Sequence, residues 1–453
     1  MDIYNKDFLV IGTGLSGYAT TEFLLSKGAK VTLTDIKPIE QLNINNLINK
    51  RNFRGIFGTQ PPLSILEEID YIIVSPGVPF DIPIILKAIE ENIEVISEIE
   101  LSYRLSNGKI IAITGTNGKT TTTSMVGEIF KESRKDSYAV GNIGLPMISK
   151  IDYSTNETSF IVEVSSFQLE GIKEFHPHIS AVLNITPDHL NRHKTMENYI
   201  DQKSRVFLNQ TPNDITILNK DNPITFSFKD KTPGKVILFS RLSTLEKGVF
   251  IEDNQIIIRN EEKERLLVCP VSDIKILGGH NLENALAAVA ISYYAGIPIQ
   301  SIRKALKKFK GVAHRIERVD IISGVEFIND SKGTNPESSI KAIEAMEKPI
   351  ILIAGGMDKG SDLSEFVLSF KNKVRYLILL GETANIIENL ARGQGINNIK
   401  KVASMEEAVL FSFNIANKGD VVLLSPGCAS WDMYSSYEER GNIFKSLVKD
   451  LRR

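Results

Sequence analysis

Short, uninterrupted apolar runs recur along the chain, and stretches with helical periodicity separate them. Within the first hundred residues these runs occupy positions 8–11, 30–35, 71–74 and 93–96. Continuous rather than alternating apolarity is typical of parallel strands that are buried on both faces. The first block is therefore predicted to be a small doubly wound sheet with helices packed on it.

Two further blocks show the same pattern. The second has strand-like runs at 110–114, 160–164, 179–186, 216–219 and 236–239, a hairpin pattern at 248–260, and helices at 281–294 and 299–309. The third has runs at 325–329, 349–354, 376–380 and 421–425. We therefore predict an α/β fold with three domains, at residues 1–98, 99–311 and 312–453.

Composition and charge narrow the class of protein. The 453 residues are 42% hydrophobic and 24% charged, with a net charge of −2 and no basic block, so no footprint for nucleic acid is present. The sequence contains neither an apolar run of about 18 residues, which a membrane span needs, nor a signal-peptide pattern. Cys269 and Cys428 have no partners at metal-ligand spacing, which indicates free thiols in a reducing cytoplasm.

A glycine-rich loop follows the predicted strand at 110–114 and precedes a predicted helix. Its residues are Gly115, Thr116, Asn117, Gly118, Lys119, Thr120 and Thr121. Backbone N–H groups and a helix N-terminus favour phosphate oxygens at such a place. The lysine can reach the β- and γ-phosphates, and the threonine after it can ligate Mg²⁺. Because Ile113 stands where the usual pattern has its first glycine, a glycine turn before a threonine-rich helix start is the alternative.

A second glycine turn, GTGLSG at residues 12–17, follows the first strand, and Asp35 ends the next strand. This spacing is typical of dinucleotide-binding folds, in which the acid holds a ribose. Binding of NAD conflicts with the later phosphate loop, so another diphosphate, such as that of a UDP-sugar, is one alternative. Tight packing of strand on helix without any ligand is the other.

Polar residues at other strand ends suit a metal or a ligand. Glu163 lies at the end of the run at 160–164, and Mg²⁺ prefers a few carboxylates together with phosphates and waters. A solvated or capping glutamate is the alternative. His189 and His193 follow the run that ends at Thr186, at the sheet edge where open α/β folds bind ligands. In the third block, the polar or glycine-rich segments 329–335, 354–360 and 425–432 predict a ligand-binding face.

Together these motifs resemble those of the Mur ligase family along nearly the whole chain. GTNGKTT, VEVSSFQLE, DHL before a downstream lysine, GGHNLENALAA, AHRIE, NDSKGTNP and SPGCASWD occur in the family's order. IGTGLSGYA, GNIGLP and SPGCAS with YEERGN are most similar to the members that add D-glutamate. The resemblance implies an N-terminal Rossmann-like domain for a UDP-substrate, a central P-loop ATPase-like domain and a C-terminal Rossmann-like domain for the amino acid.

The resemblance also implies an activity. It is the ATP-dependent joining of D-glutamate to UDP-N-acetylmuramoyl-L-alanine through an acyl phosphate, with ATP and Mg²⁺, by a cytoplasmic monomer without nucleic-acid or membrane partners. Another amino-acid ligase of the superfamily is the nearer alternative, although no DNPR-like segment of the diaminopimelate- or lysine-adding type is present. An NAD-dependent protein or a nucleotide-binding regulator is the more distant one, and it leaves the phosphate loop unexplained.

Site residues are implied position by position. The residues that match those holding the UDP-substrate are Gly14, Ser16, Asp35, Ser75, Asn142 and His189. The ATP contacts match the loop 115–121 together with Asn281, Arg315, Asp330 and Lys332. The D-glutamate contacts match Thr334, Lys359, Ser430 and Tyr437. The magnesium ligands match Thr120, Glu163, His189 and a carbamylated Lys203, and the catalytic residues match Lys119, Lys203 and His189.

Three departures from the family's pattern bear on these roles. The tract between His189 and Lys203 is one residue shorter than expected. Trp431 stands at a position where an aliphatic residue is expected, beside the implied D-glutamate site. Tyr437 stands where an aromatic residue is expected, so its ring keeps the pattern and its hydroxyl is new.

Overall fold

The computed structural model describes residues 1–142, 144–276, 278–358 and 360–452. Their strands form sheets of five, nine and six strands, with helices between them, which confirms the predicted three-domain α/β architecture. By internal contacts the chain divides into two compact units, 1–274 with 282–308, and 275–281 with 309–453. The domain boundaries at 98/99 and 311/312 stay a prediction. No helix within the described ranges is long and apolar enough to cross a membrane.

The first sheet is entirely parallel and has the strand order β3-β2-β1-β4-β5. Its strands are β1 (Asp7–Ile11), β2 (Lys30–Asp35), β3 (Phe53–Phe57), β4 (Tyr71–Val74) and β5 (Glu94–Ser97). The helices are α1 (Leu15–Ser26), α2 (Asn45–Ile48), α3 (Pro83–Glu90) and α4 (Glu98–Leu105). The strand order reverses at β1, so the turns after β1 and β4 border the crevice where such sheets bind ligands.

The central sheet has the order β14-β13-β12-β11-β10-β9-β6-β8-β7. Its strands are β6 (Lys109–Thr114), β7 (Ser137–Gly141), β8 (Ser159–Glu163), β9 (Ile179–Val182), β10 (Ile215–Asn219), β11 (Lys235–Ser240), β12 (Gly248–Glu252), β13 (Gln255–Arg259) and β14 (Arg265–Pro270). Strands β6 to β12 are all parallel to one another. Strands β13 and β14 extend the sheet by antiparallel pairing. The predicted hairpin is confirmed, since Asp253 and Asn254 join β12 to β13 with φ of 50° and 56°, as a tight hairpin turn requires.

The helices after β6 are α5 (Lys119–Glu132), α6 (Ser166–Glu170), α7 (Leu190–His193), α8 (Met196–Ser204), α9 (Pro223–Ser227), α10 (Gly279–Tyr294) and α11 (Ile299–Lys308). Among them, α6, α8 and α9 begin with side-chain caps. A capping box between Ser165 and Gln168 starts α6, and the Thr195 hydroxyl accepts a hydrogen bond from the Asn198 N–H at the start of α8. These caps fix where α6 and α8 begin, and α8 carries Lys203 in its last turn.

The third sheet has the order β15-β16-β20-β17-β18-β19. Its strands are β15 (Glu317–Ile322), β16 (Val325–Asn329), β17 (Ile350–Ala354), β18 (Val374–Leu379), β19 (Ile399–Lys401) and β20 (Val421–Leu424). The helices are α12 (Pro336–Glu344), α13 (Ser364–Leu368), α14 (Ala384–Gly393), α15 (Met405–Ile415) and α16 (Tyr437–Asp450). Because β16, β20 and β17 are parallel neighbours, the three polar segments that follow them lie at one edge of this sheet, as predicted.

Candidate active site

The glycine loop after β6 leads directly into α5. Lys119 is the first residue of α5, and Gly118 before it has a φ of 84°, in the left-handed region. A Cβ atom at Gly118 would lie 2.1 Å from Asn284 Oδ1, so conformation and space both require glycine. The N–H groups of the first turn of α5 therefore lie at the end of β6, where the helix dipole favours an anion.

Asn184, two residues beyond β9, braces this loop. Its backbone oxygen accepts from the Thr116 N–H at 2.8 Å and its side-chain oxygen accepts from the Asn117 N–H at 2.8 Å. Its side-chain amide donates to the Asn117 carbonyl at 3.1 Å. The Thr116 hydroxyl is hydrogen-bonded to the Thr186 backbone and to the Tyr199 hydroxyl. Contacts from residues distant in sequence thus fix the conformation of the loop.

Two lysines converge on the same loop. Lys119 Nζ donates to the carbonyls of Gly115 and Thr116, both at 2.8 Å, and Lys203 Nζ donates to the Gly115 carbonyl at 2.8 Å. Lys203 is 1% exposed, and its Nζ lies 4.8 Å from the centroid of the Tyr199 ring. Burial, and then the charge of Lys119, hold the pKa of Lys203 well below its ordinary value. This favours the neutral amine of Lys203.

Glu163 and Thr120 lie next to this loop. Glu163 ends β8, beside β6, and it is buried. Its carboxylate accepts a hydrogen bond from the Asn142 side-chain amide at 3.3 Å. Thr120 is buried in the first turn of α5. In the described ranges no group of three or more His, Cys, Asp and Glu residues could hold a metal ion. One carboxylate and one hydroxyl fit Mg²⁺, which prefers oxygen ligands and would take its others from phosphates and water.

The two histidines after β9 have different surroundings. His189 is half-exposed, has a φ of 53°, and its ring centroid lies 5.0 Å from that of Phe167. His193 is buried, its Nε2 is 3.0 Å from the Ser166 hydroxyl, and burial lowers its pKa to about 4. His189 is therefore accessible to solvent, whereas His193 is part of the core.

The glycine turn after β1 is packed tightly at two of its glycines and open at the third. A Cβ atom at Gly12, which has a φ of 98°, would lie 2.9 Å from Ser75 Cβ, and one at Gly17 would lie 1.8 Å from the Gly12 carbonyl oxygen. Ser75 is buried and donates to the Gly12 carbonyl at 3.1 Å. A Cβ atom at Gly14 would meet no described atom within 4 Å, so the backbone is open to a ligand there.

Asp35, at the end of β2, lies against the same turn. Its Oδ2 accepts from the Thr13 N–H at 2.9 Å and from the Thr13 hydroxyl at 2.7 Å, and its Oδ1 accepts from the Lys37 N–H at 3.0 Å. Partial burial opposes ionisation, but the hydrogen bonds from Thr13 and Lys37 outweigh it and lower the pKa of Asp35. The structure thus brings Asp35 and Ser75 to one turn with Gly14, and Ser16 lies half-buried in the first turn of α1.

In the second unit, Asp330 follows β16 and is buried. Its Oδ2 accepts from the Ser425 hydroxyl at 2.7 Å, and its Oδ1 accepts from the Ile316 N–H at 3.1 Å. Burial raises the pKa of Asp330 to about 7, although the Ser425 hydrogen bond and the charge of Arg315 act in the opposite direction. A carboxyl group that titrates near neutrality in a polar cluster is typical of a functional site.

The segment around Arg315 has a strained backbone. His314 has a φ of 63° and Ile316 a φ of 44°, and a β-branched residue in that region costs about 1–3 kcal/mol. The segment is held in place because Glu317 accepts from the His314 N–H at 2.8 Å. Asn281, Asp330 and Lys332, the further ATP contacts expected outside the phosphate loop, belong to the same compact unit as Arg315.

Arg440 joins the loop after β16 to the loop after β20. Its guanidinium donates to the Ser331 hydroxyl and carbonyl at 3.0 and 2.9 Å, and to the carbonyls of Cys428 and Ala429 at 3.2 Å each. Burial lowers the pKa of Arg440 to about 10. Ser430, next along the chain, is also buried, so this guanidinium fixes the backbone that carries it.

Three of the expected D-glutamate contacts can be placed. The Tyr437 carbonyl accepts from the Ser331 hydroxyl at 2.8 Å, and Lys332 Nζ lies 5.8 Å from the centroid of the Tyr437 ring. Thr334 lines a small pocket, whose other walls are Met357, Asp358, Ser361, Leu363, Thr383, Gly427, Cys428 and Ala429. Ser430 is the next residue in the chain after Ala429, which lines this pocket. Lys359 lies outside the described residues.

Three residues of this arrangement were missed by the sequence analysis. Asn184 lies within a run that was assigned to a buried strand. Tyr199 is one helical turn before Lys203, a spacing that could have suggested a shared face. Arg440 lies in the YEERGN segment, which is similar to the pattern of the family but did not indicate a role for this arginine. The roles of all these residues are proposals.

Comparison with known families gives matches over most of the chain. Residues 6–97 match the family "Mur ligase MurD-like, N-terminal domain". Residues 113–292 match the "Mur ligase middle domain", and residues 314–428 match the "Mur ligase, glutamate ligase domain". The three matched segments follow one another along the chain in the same order as the three sheets, with one segment for each sheet.

Similar proteins were found at full length. The UDP-N-acetylmuramoylalanine–D-glutamate ligases of Alkaliphilus metalliredigens and Clostridioides difficile are each 49% identical, with 100% of both chains covered. Among solved structures, the UDP-N-acetylmuramate–alanine ligase of Thermotoga maritima has a TM-score of 0.59 at 19% identity, covering 98% of this chain and 99% of that one. A pseudomurein peptide ligase of Methanothermus fervidus has a TM-score of 0.57 at 19% identity, covering 99% and 100%. These structures share the fold.

Proposed function

This chain belongs to the Mur ligase family, and we propose that it is an ATP-dependent ligase that adds D-glutamate to UDP-N-acetylmuramoyl-L-alanine in peptidoglycan precursor synthesis. The observation that carries the proposal is the 49% identity, over the full length of both chains, to ligases named for that reaction. The phosphate loop with two converging lysines supports it independently.

The chemistry is amide formation from an unreactive carboxylate. An oxygen of the alanyl carboxylate attacks the γ-phosphorus of ATP, ADP leaves, and an acyl phosphate forms. The amine of D-glutamate then attacks the acyl carbon, loses a proton, and expels inorganic phosphate. Both steps gather negative charge in one place, so catalysis rests on positioning and on cations rather than on an acid–base triad.

Lys119 and the N-terminus of α5 are the part of the chain suited to the phosphates. Lys119 lies at the first position of α5 and its ammonium is held over the loop by two carbonyls. Asn184 keeps that loop in place. In the second unit, Asn281, Arg315, Asp330 and Lys332 are the proposed further ATP contacts.

Mg²⁺ would neutralise charge on the phosphate oxygens when bound. Glu163 and the Thr120 hydroxyl are the proposed ligands, because both lie beside the phosphate loop and together they match the oxygen preference of this metal. His189 is a further candidate, as a group that contacts either the metal or the UDP-substrate.

The UDP-substrate site is proposed at the turn after β1. Gly14 leaves the backbone open, Ser16 and Ser75 border the turn, and the ionised Asp35 can accept hydrogen bonds from a ribose or a base. Asn142 and His189 are the proposed contacts from the central sheet. D-glutamate is proposed to bind at Thr334, Lys359, Ser430 and Tyr437.

Lys203 is proposed to be carbamylated. An ammonium group close to a magnesium site would repel the metal, whereas a buried amine with a lowered pKa is a nucleophile. Its nitrogen attacks the carbon of CO₂ and loses one proton, which gives a carbamate with a negative charge. That group offers oxygen ligands, the type that Mg²⁺ prefers.

The function is tested by phosphate release from ATP with each UDP-muramoyl precursor against a panel of amino acids. We expect release with UDP-N-acetylmuramoyl-L-alanine plus D-glutamate, and far less with L-glutamate. Equal use of L-glutamate, or preference for L-alanine with the unsubstituted precursor, would refute the D-glutamate assignment and leave the family unchanged.

A further inference from the structure

The turn after β4 forms one side of the proposed UDP-substrate site. The Val78 N–H donates to the Ser75 carbonyl at 2.9 Å, which closes a four-residue turn. This turn packs on Gly12, since a Cβ atom there would lie 2.9 Å from Ser75 Cβ and 3.1 Å from Val78 Cγ2. The turn formed by Ser75–Val78 therefore packs directly against the glycine turn after β1.

A side chain from the central sheet reaches this turn. Arg192, on α7, donates through Nη2 to the Val78 carbonyl at 3.1 Å. The same Nη2 donates to Glu170 Oε2 at 2.5 Å, and Nε donates to Glu170 Oε1 at 3.4 Å. The guanidinium of Arg192 thus donates hydrogen bonds both to the Glu170 carboxylate, at the end of α6, and to the backbone of the turn after β4.

The surroundings of Arg192 favour a fixed orientation. Its side chain is 19% exposed and that of Glu170 is 13% exposed, so water screens the pair little. The guanidinium carbon lies 5.5 Å from the centroid of the Phe167 ring, which also lies 5.0 Å from the His189 ring. A planar fork with several donors can hold two acceptors in this way, whereas a lysine ammonium cannot reproduce the geometry.

The end of α6 is also joined to the first sheet by its backbone. The Ser97 N–H donates to the Gly171 carbonyl at 3.0 Å. A Cβ atom at Gly171 would lie 2.6 Å from both the Phe80 ring and the Ser97 nitrogen. The segment from Phe167 to Gly171 therefore packs against the first sheet. Arg192 links the Ser75–Val78 turn to this segment by its hydrogen bonds to Val78 and Glu170.

We propose that Arg192 is a positioning residue that holds the Ser75–Val78 turn in its substrate-binding conformation through the fork to Val78 and Glu170. The inference rests on the proposed UDP-substrate site, and it adds a determinant of substrate affinity outside that site. Among the described residues, the hydrogen bonds of Arg192 do not include the phosphate loop. Its loss should therefore raise the KM for the UDP-substrate and leave the KM for ATP unchanged.

The test compares Arg192→Lys with Arg205→Lys. Arg205 is the matched control because it also donates to the end of α6, to the Leu169 and Ile172 carbonyls at 2.8 Å each, yet has no bond to the first sheet's turn. Glu170→Gln is a second variant, which weakens the interaction of residue 170 with Arg192 but keeps the guanidinium group of Arg192.

We expect Arg192→Lys to raise the KM for UDP-N-acetylmuramoyl-L-alanine about tenfold, the size of one lost charge-assisted hydrogen bond. The kcat and the KM for ATP should stay within about twofold of wild type. Glu170→Gln should give a smaller rise of the same kind, and Arg205→Lys should give none.

Amide hydrogen exchange at residues 75–82 supplies a readout that does not depend on activity. Exchange there should be faster in Arg192→Lys than in wild type or Arg205→Lys. An unchanged KM and unchanged exchange in Arg192→Lys, or equal effects in Arg205→Lys, would overturn the proposal. A wild-type protein that does not turn over this substrate refutes the proposed function instead, and the exchange comparison then still decides the role of Arg192.

Discussion

Lys119 and Lys203 donate to the same oxygen, the Gly115 carbonyl, each at 2.8 Å and from different helices. Two ammonium groups so close would repel each other, and burial followed by the charge of Lys119 lowers the pKa of Lys203. The lowered pKa favours the neutral amine of Lys203, as its proposed carbamylation requires, and Lys119 lies at the start of α5, where the phosphates are proposed to bind.

Replacing Lys119 by alanine should reduce kcat by about 10²–10³, because one electrostatic contact with the developing charge is lost. The fold should persist, since the lysine is the first residue of α5 and is not part of the hydrophobic core. Steady-state kinetics and circular dichroism measure the two effects. Lys131→Ala, at the exposed far end of the same helix, is the control and should retain wild-type turnover. If Lys119→Ala also turns over normally, the loop has only a structural role.

Lys203→Ala should be nearly inactive and should regain activity when a short carboxylic acid such as acetate is added, because the acid supplies the missing oxygen ligands. In wild type, ¹³CO₂ should give a carbamate signal in the ¹³C NMR spectrum that is absent from the variant. Full activity of Lys203→Ala, or an unmodified amine in the active enzyme with metal bound, would contradict carbamylation.

Asn184→Ala should raise the KM for ATP about tenfold. The variant loses two side-chain hydrogen bonds to Asn117, each worth about 1 kcal/mol, which loosens the phosphate loop. The KM for the UDP-substrate should not change. Asn260→Ala removes a buried asparagine that bonds to Glu264 in the turn before β14, and its KM for ATP should match wild type. Equal KM values for ATP in both variants would show that the hydrogen bonds from Asn184 to the phosphate loop do not affect ATP binding.

Asp330 should make stability depend on pH. Burial raises its folded pKa to about 7, above the ordinary 3.8, so between these values the folded state holds a proton that the unfolded state has released. The free energy of unfolding should therefore decrease as the pH rises from about 4 to 7. Asp330→Asn removes this dependence, and its stability relative to wild type should increase by on the order of 1–4 kcal/mol over that range.

Chemical denaturation of wild type and Asp330→Asn at pH 4.5, 6 and 8 checks this dependence. The exposed Asp362, whose pKa is lowered by hydrogen bonds from Ser364, is the control. Asp362 is ionised in both states above pH 5, so the difference between Asp362→Asn and wild type should be constant from pH 6 to 8. A constant difference for Asp330→Asn as well would mean that this carboxyl is ionised in the folded protein.

The inner strands could be predicted from the sequence, whereas the outer ones mostly could not. Strands β1, β6, β17 and β20 are buried on both faces and carry continuous apolar runs. The strands that were missed, β3, β7, β14, β15 and β19, all lie at sheet edges. An edge strand has one neighbour and more contact with water, so polar residues such as Arg54 in β3 interrupt its pattern.

The site was predictable where chemistry is local and not where it depends on distant contacts. The phosphate loop, Glu163 and Asp35 could be proposed as site residues from the sequence because each lies at the carboxyl end of a strand. The braces could not, since Asn184 is 67 residues from Asn117 and Arg440 is 109 residues from Ser331. No local pattern marks such pairs, because only the folded topology brings them together.

The transfer of ¹⁸O from the substrate carboxylate to inorganic phosphate tests the proposed reaction most directly. UDP-N-acetylmuramoyl-L-alanine labelled with ¹⁸O in the alanyl carboxylate is incubated with ATP, Mg²⁺ and D-glutamate, and the phosphate is analysed by mass spectrometry. Reaction through an acyl phosphate predicts one ¹⁸O atom in each phosphate and one molecule of the D-glutamyl amide formed with it. Phosphate without ¹⁸O, or labelled phosphate formed equally well with L-glutamate, would contradict a D-glutamate ligase of this mechanism.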